Sequence, residues 1–287
     1  MVADALVLAT QSAPPSRLVK PNPEYSTGQT PLPPQVIALA EEGMQQWAIK
    51  HNRPLPPLGE IYSAPVLPLA EKLQALAGLR ARALACEKCP QLVATRRQVV
   101  FGVGTEATLM FVGEAPGADE DRLGEPFVGA AGELLTKIIK AMGFTRDTVY
   151  IANILKCRPD TPGQSFGHRK PTPEEMATCL PYLLTQIELV RPQVLVALGA
   201  TATTGLLGLT EGITHLRGHW QTFRGIPVMP TYHPSYLLHK SDFAENGKVW
   251  EDMLQVMEKL AVPISDKQRG FFRKQTFKPS GDAHNEK

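Results

Sequence analysis

Carboxylates crowd one short stretch, GEAPGADED, in which Glu114, Asp119, Glu120 and Asp121 surround a glycine- and proline-bearing turn directly after the apolar run TLMFVG. A glycine-rich turn behind a strand suits phosphate when its amides face an anion at a helix start. Four carboxylates oppose an anion, and no Gly-Lys-Ser/Thr follows that would neutralise phosphates and hold magnesium. The other glycine pair, Gly102 and Gly104 in FGVGTEA, precedes the strand instead of following it. The acidic oxygens suit Mg or Mn, or simply an exposed acidic loop, and the stretch needs partners from elsewhere in the chain to become a site.

Two further sets of residues offer chemistry. Cys86 and Cys89 form a C-x-x-C pair, with Cys157 and Cys179 far downstream. Two structural disulfides are not expected in a cytosolic chain. Unrelated buried thiols are one alternative, and a shared metal is the other. Four thiolates suit zinc or an iron-sulfur cluster, and spacing does not choose between them. Either would staple the helix ending near Cys89 to the segment from Cys157 to Cys179. The third candidate is His233, at the end of the apolar run IPVMPTY.

These residues need a frame. Apolar runs ATLMFVG, TVYIANIL, QVLVALG and IPVMPTY alternate with helical patterns GELLTKIIKAMGF, TPEEMATCLPYLLTQIELV, a short helix from Ala200 and FAENGKVWEDMLQVMEKLA. In the first of these helices Leu134, Leu135, Ile138, Ile139 and Met142 share one face. Short continuous apolar strands alternating with helices predict an α/β fold with a central, mostly parallel sheet covered on both sides, a three-layer α/β/α arrangement. Ligands of such sheets bind beyond the carboxyl ends of the strands. The acidic loop and His233 both sit there.

Upstream, residues 1–32 are rich in Pro, Ser, Thr and Gln and are expected to be disordered. Residues 33–84 carry two helical patterns, PPQVIALAEEGMQQWAIK and LPLAEKLQALAGLRARALAC, the second leading into Cys86. A polar, basic tail over 263–287 is expected to be disordered, which leaves 85–262 as the main domain. The chain has 287 residues, 43% hydrophobic and 20% charged, as in ordinary globular proteins. It has no run of about 18 apolar residues and no basic segment before the short apolar stretch in MVADALVLATQSAPPSR, so a cytoplasmic monomer without a membrane partner is expected. A net charge of +2 does not announce nucleic-acid binding. Such a surface would have to be assembled from Arg96-Arg97, Lys156/Arg158, His168-Arg169-Lys170 or Arg217/His219, each otherwise a solvated patch.

GEAPGADEDRLGEPFVGAAGELL, YIANILKCRP, LGATAT and HPSYLL, with the four cysteines in that order, closely resemble the family 4 uracil-DNA glycosylases over roughly residues 85–261. The resemblance implies that fold, a 4Fe-4S cluster on Cys86, Cys89, Cys157 and Cys179, and excision of uracil from single- or double-stranded DNA at the start of base excision repair. It further implies that Phe127 stacks on the flipped base, that Asn153 reads its amide edge and that His233 donates to the developing uracil oxyanion. Gly113, Glu114 and Ala115 line the water-holding turn, with Glu114 the candidate for holding the attacking water and Ala115 sharing that role through its backbone. Glu120 closes the pocket against thymine's methyl group. Other uracil glycosylases place Asp where this chain has Ala115, so no general base follows from the sequence.

The turn-rich segment between Cys157 and Cys179 carries His168, eleven residues before Cys179. Its placement is similar to that of a histidine in a related group, in the loop KRRIH, which captures the sugar covalently. The loop KRRIH is itself absent, and GEAPG matches the hydrolytic family. Hydrolysis is the primary expectation. Covalent trapping through His168, DNA contact by His168, and a nonenzymatic iron-sulfur nucleic-acid binding module are the alternatives.

Overall fold

Fully buried apolar strands form the centre of the molecule, because a strand covered on both faces has no solvent side to make polar. The computed structural model describes residues 67–104, 107–160, 169–240 and 242–272. The expected arm over 1–32, the helical pattern over 33–50, His168 and the tail from 273 onward lie outside the described residues.

Helix α1 (Leu69–Leu84) and the short α2 (Pro90–Val93) precede β1 (Leu109–Gly113). After β1 come α3 (Ala118–Leu123), α4 (Ala130–Ala141), β2 (Tyr150–Asn153), α5 (Pro173–Val190), β3 (Val194–Leu198) and α6 (Ala200–Leu207). The chain continues through α7 (Ile213–Leu216), β4 (Gln221–Phe223), β5 (Ile226–Thr231), α8 (Pro234–His239), α9 (Phe243–Lys259) and α10 (Asp266–Arg269).

The five strands line up as β2-β1-β3-β5-β4, all parallel except β4, which runs antiparallel to β5. Alternation sorts each strand's side chains between two cores. Leu109 and Phe111 meet Leu135, Ile139, Met253 and Met257 from α4 and α9 on one face. Met110 and Val112 meet Leu183, Ile187, Ala202 and Leu206 from α5 and α6 on the other. The α/β/α layering expected from the sequence is therefore present, with the small antiparallel β4 added at one edge.

Three local differences have physical causes. The acidic stretch is not an open loop: residues 118–123 wind into α3, capped because Glu120 Oε2 accepts from the Gly117 amide at 3.0 Å. Residues 263–272, assigned above to a disordered tail, fold back onto the domain. There Phe271 packs on Trp250, and Gln268 donates through Nε2 to the Ala141 carbonyl at 2.8 Å. The aromatic pair Phe271-Phe272 supplies apolar area that the neighbouring basic residues hide from a composition reading. Finally, α1 packs against α5, with Leu79 and Ala83 in one apolar cluster with Leu92, Cys157 and Cys179.

Candidate active site

Register brings the site together. Gly113 at the end of β1 pairs with Asn153 at the end of β2, while Leu198 at the end of β3 pairs with Thr231 at the end of β5. The loops leaving these four strands must share one edge of the sheet. A cavity of about 490 Å³ opens there, and Glu114, Ala115, Glu120, Phe127, Asn153 and His233 all line it. Gly113 lies behind two of these lining residues: a Cβ on it would lie 2.4 Å from Asn153 Oδ1 and 2.5 Å from Phe127 Cζ, so only glycine lets the amide and the ring sit side by side.

Asn153 is 2% exposed, and its Oδ1 is buried without a hydrogen-bond partner. An unpaired acceptor in a buried wall is costly, and a ligand that donates to it removes the cost. The Asn153 backbone is held from behind, because Lys156 donates through Nζ to its carbonyl at 2.8 Å and to Gln186 Oε1 at 2.6 Å. Burial pulls the Lys156 ammonium down to about 7.

The Phe127 backbone has φ 55°, left-handed for a non-glycine residue, and its ring centroid is 5.6 Å from that of His233. His233 caps α8: the Ser235 backbone N–H donates to Nδ1 at 3.2 Å. Ser235 Oγ lies 2.7 Å from the same Nδ1; a backbone amide can only donate, so with Nδ1 accepting from it, Nε2 is the ring nitrogen that carries a proton toward the cavity.

The carboxylates of the acidic stretch divide their work. Glu120 Oε1 accepts from the amides of Val128 and Gly129, both at 2.9 Å, which ties α3 to the loop carrying Phe127. Asp121, 2% exposed, accepts from the amides of Arg97 and Gln98. Asp119 pairs with Arg122 at the surface. Glu114 is left as the acidic residue of this stretch whose structural duty does not account for its place in the cavity wall. Among the described residues, no three or more His, Cys, Asp or Glu side chains form a site for a single metal ion.

The cysteines are free thiols on one side of this cavity. Cys157, Cys179 and Cys89 share an apolar patch that Ala115 also touches. Arg96 donates to Cys157 Sγ at 2.9 Å, and the Lys156 amide donates to Cys179 Sγ at 3.2 Å. Burial pushes the Cys179 thiol up to about 12 and also raises Cys89 and Cys157, so a bound cation is what would hold them as thiolates. N–H donors aimed at sulfur in an apolar patch fit the donor set of an iron-sulfur cluster.

Most of the candidate basic surface turns inward. Arg96 holds Cys157, Lys156 is buried, and Arg169 pairs with the buried Glu175. Arg217 pairs with Asp252, which is fully buried and also accepts from Thr231 Oγ1 at 2.6 Å. Burial raises Asp252 to about 6, against the opposing pull of Arg217 and Thr231. Lys170 does line the cavity, as do Tyr232, Tyr236, Ile213 and Thr214. Ile213 and Thr214 lie in no motif, whereas Tyr232 ends the run IPVMPTY and Tyr236 lies within HPSYLL, both beside the histidine in sequence though neither is singled out by it. His168 lies outside the described residues, so the covalent alternative has no geometry.

A model of the uracil DNA glycosylase superfamily matches residues 101–254. The chain is 45% identical over 173 residues to a type-4 uracil-DNA glycosylase of Thermotoga maritima, a match that covers 58% of this chain and 85% of that protein. It is 42% identical over 173 residues to a type-4 uracil-DNA glycosylase of Archaeoglobus fulgidus, covering 56% and 82% respectively. A type-5 uracil-DNA glycosylase of Pyrobaculum aerophilum is 30% identical over 189 residues, covering 54% and 80%.

Proposed function

Since the chain belongs to the uracil DNA glycosylase superfamily, we propose that it is a DNA glycosylase that takes uracil out of DNA by hydrolysing its N-glycosidic bond, the first step of base excision repair. The observation that carries the reading to this chain's own residues is the orphaned Asn153 Oδ1, buried in the cavity wall beside Phe127.

Uracil presents an N–H donor beside a carbonyl acceptor, and the Asn153 amide offers the complementary acceptor and donor. Cytosine presents the reverse pair. The base reaches Asn153 only after leaving the stack, and the Phe127 ring gives it a new stacking surface. As the glycosidic bond breaks, the electron pair goes to uracil and the sugar becomes cation-like. His233 Nε2–H donates to the oxygen on which negative charge grows, and the neutral imidazole needs no proton transfer to do so. Glu114 holds the water that captures the sugar, with the Ala115 backbone beside it, and its negative charge favours the cationic sugar. Glu120, braced by amides on both sides, presents a fixed wall against a methyl at the uracil 5-position.

Cys86, Cys89, Cys157 and Cys179 would hold a 4Fe-4S cluster, which supplies a structural clamp beside the pocket. Free thiols suit a reducing cytoplasmic compartment. Among the described residues no helix is long and apolar enough to cross a membrane.

Incubation with uracil-containing single- and double-stranded oligonucleotides, followed by alkali, tests the proposal. Scission at uracil and none in a uracil-free control is expected. DNA binding without scission would instead favour the nonenzymatic module.

A further inference from the structure

The aromatic ring assigned to base stacking sits on a backbone that cannot hold itself. Phe127 is left-handed at φ 55°, a conformation a bulky L-residue adopts only when its surroundings over-determine it. The peptide unit that follows it is gripped at both ends. Its N–H, at Val128, donates to Glu120 Oε1 at 2.9 Å. Its C=O, at Phe127, accepts from Arg146 Nη1 at 3.0 Å. Arg146 Nη2 also donates to the Pro126 carbonyl at 2.7 Å, so one guanidinium spans two successive carbonyls. Thr136 Oγ1 lies 3.4 Å from Nη1, and the Glu125 carboxylate 3.7 Å from Nη2, completing the environment of the guanidinium. Gly132 leaves the space: a Cβ there would lie 1.9 Å from the Phe127 carbonyl oxygen.

We infer that Arg146 is a positioning residue for uracil excision, acting through Phe127 by locking the peptide plane that aims its ring into the cavity. The inference rests on the reading of Phe127 as the stacking residue. Arg146 does not line the base cavity; it lines a separate surface cavity together with Glu125, Thr136, Lys140 and Asp147, so it reaches the substrate only through the loop it holds. Arginine suits the task where lysine does not, because its rigid fork presents two N–H groups at once and an ammonium is a single point on a flexible stem. With the fork removed, the two carbonyls face solvent from the Arg146 side, the strained φ relaxes, and the ring swings relative to Asn153 and His233.

A double-mutant cycle on the full chain decides the matter. Single-turnover excision of uracil from single-stranded DNA is measured for the parent, Arg146→Gln, Arg146→Lys, Phe127→Ala and Phe127→Ala/Arg146→Gln, with a thermal melt of each. Arg146→Gln should lose about 10- to 100-fold in excision rate, as for a reacting group displaced by up to an ångström, while melting close to the parent. Arg146→Lys should recover only part of the loss. In the Phe127→Ala background Arg146→Gln should cost less than about twofold, because residues acting as one unit are non-additive. Equal losses in both backgrounds, parental activity in Arg146→Gln, or activity that falls only with the folded fraction would overturn the inference while leaving the stacking role intact. Parental activity in Phe127→Ala would remove the stacking role itself, and the inference with it.

Discussion

Replacing Gly113 by alanine puts a methyl group where the pocket has no room for one. Its Cβ would stand 2.4 Å from Asn153 Oδ1 and 2.5 and 2.7 Å from Phe127 Cζ and Cε2, against an ordinary contact of 3.4 Å or more. One of those groups must retreat by about 1 Å, the difference between the ordinary and the imposed separation. The backbone has little freedom to give way, because Gly113 is in register with Asn153 and its carbonyl accepts from the Ile154 amide at 2.9 Å. The amide or the ring therefore turns. Overpacking of this kind costs about 1–3 kcal/mol of stability, a loss a domain of this size survives. A misplacement of about 1 Å at a reacting site costs on the order of 100-fold in rate. Gly113→Ala should thus remain folded, melt a few degrees lower and excise uracil about 100-fold more slowly under single-turnover conditions. Gly78→Ala in α1 is the control, since a Cβ there meets nothing within 4 Å. It should keep full activity and gain about 0.5–1 kcal/mol in helix stability. Excision by Gly113→Ala within threefold of the parent would refute the placement of the base between Asn153 and Phe127.

Other substitutions probe other parts of the same design. His233→Ala should slow the chemical step by about 100- to 1000-fold, as loss of one oxyanion donor does, with KM little changed; a loss confined to KM would make His233 a binding group. Arg217→Ala strands the buried Asp252 carboxylate and should cost about 3–5 kcal/mol in chemical denaturation at neutral pH. Since Asp252 sits at about 6 in the folded chain, above its ordinary value, protonation favours the folded state. The parent's contribution from this group therefore rises as pH falls from about 6 toward the ordinary carboxylate range, and the Arg217→Ala deficit should shrink at pH 5. A deficit that grows on acidification would contradict the assignment. Anaerobically purified protein should carry about four irons per chain, and Cys179→Ser should lose iron and melt earlier; zinc in stoichiometric amount without iron would remove the cluster from this account.

The parts of the molecule legible in the sequence are those with local cause. LMFVG and VLVAL had to be strands because five consecutive apolar residues need cover on both faces, and both are buried throughout. Residues expected to meet did so because each follows a strand that register aligns with the others: Glu114 after β1, Asn153 ending β2, His233 after β5. The edge strand QTF was not legible, since three residues of mixed exposure carry no period. Nor were the roles of Glu120, Asp121 and Arg217. A carboxylate that braces backbone amides looks identical in sequence to one that faces a ligand, and Arg217 meets Asp252 thirty-five positions away with no motif joining them. Arg146 had no local signal because its partners are backbone carbonyls, which every residue possesses.

Strand order also differs from the order of synthesis. β1 and β2 leave the ribosome first and can pair at once, but the other edge of β1 is reserved for β3, which follows only after the whole of α5. Until then the nascent chain carries an apolar strand with one open edge, the kind of surface on which unfinished chains associate. The same interval delivers Cys86, Cys89 and Cys157 before Cys179, which arrives on α5 itself. The last thiol and the helix that covers β1 and β2 thus emerge together. A chain stalled short of α5 has both an unshielded sheet face and only three of its four cysteines, and the open edge of β1 is closed only when β3 follows.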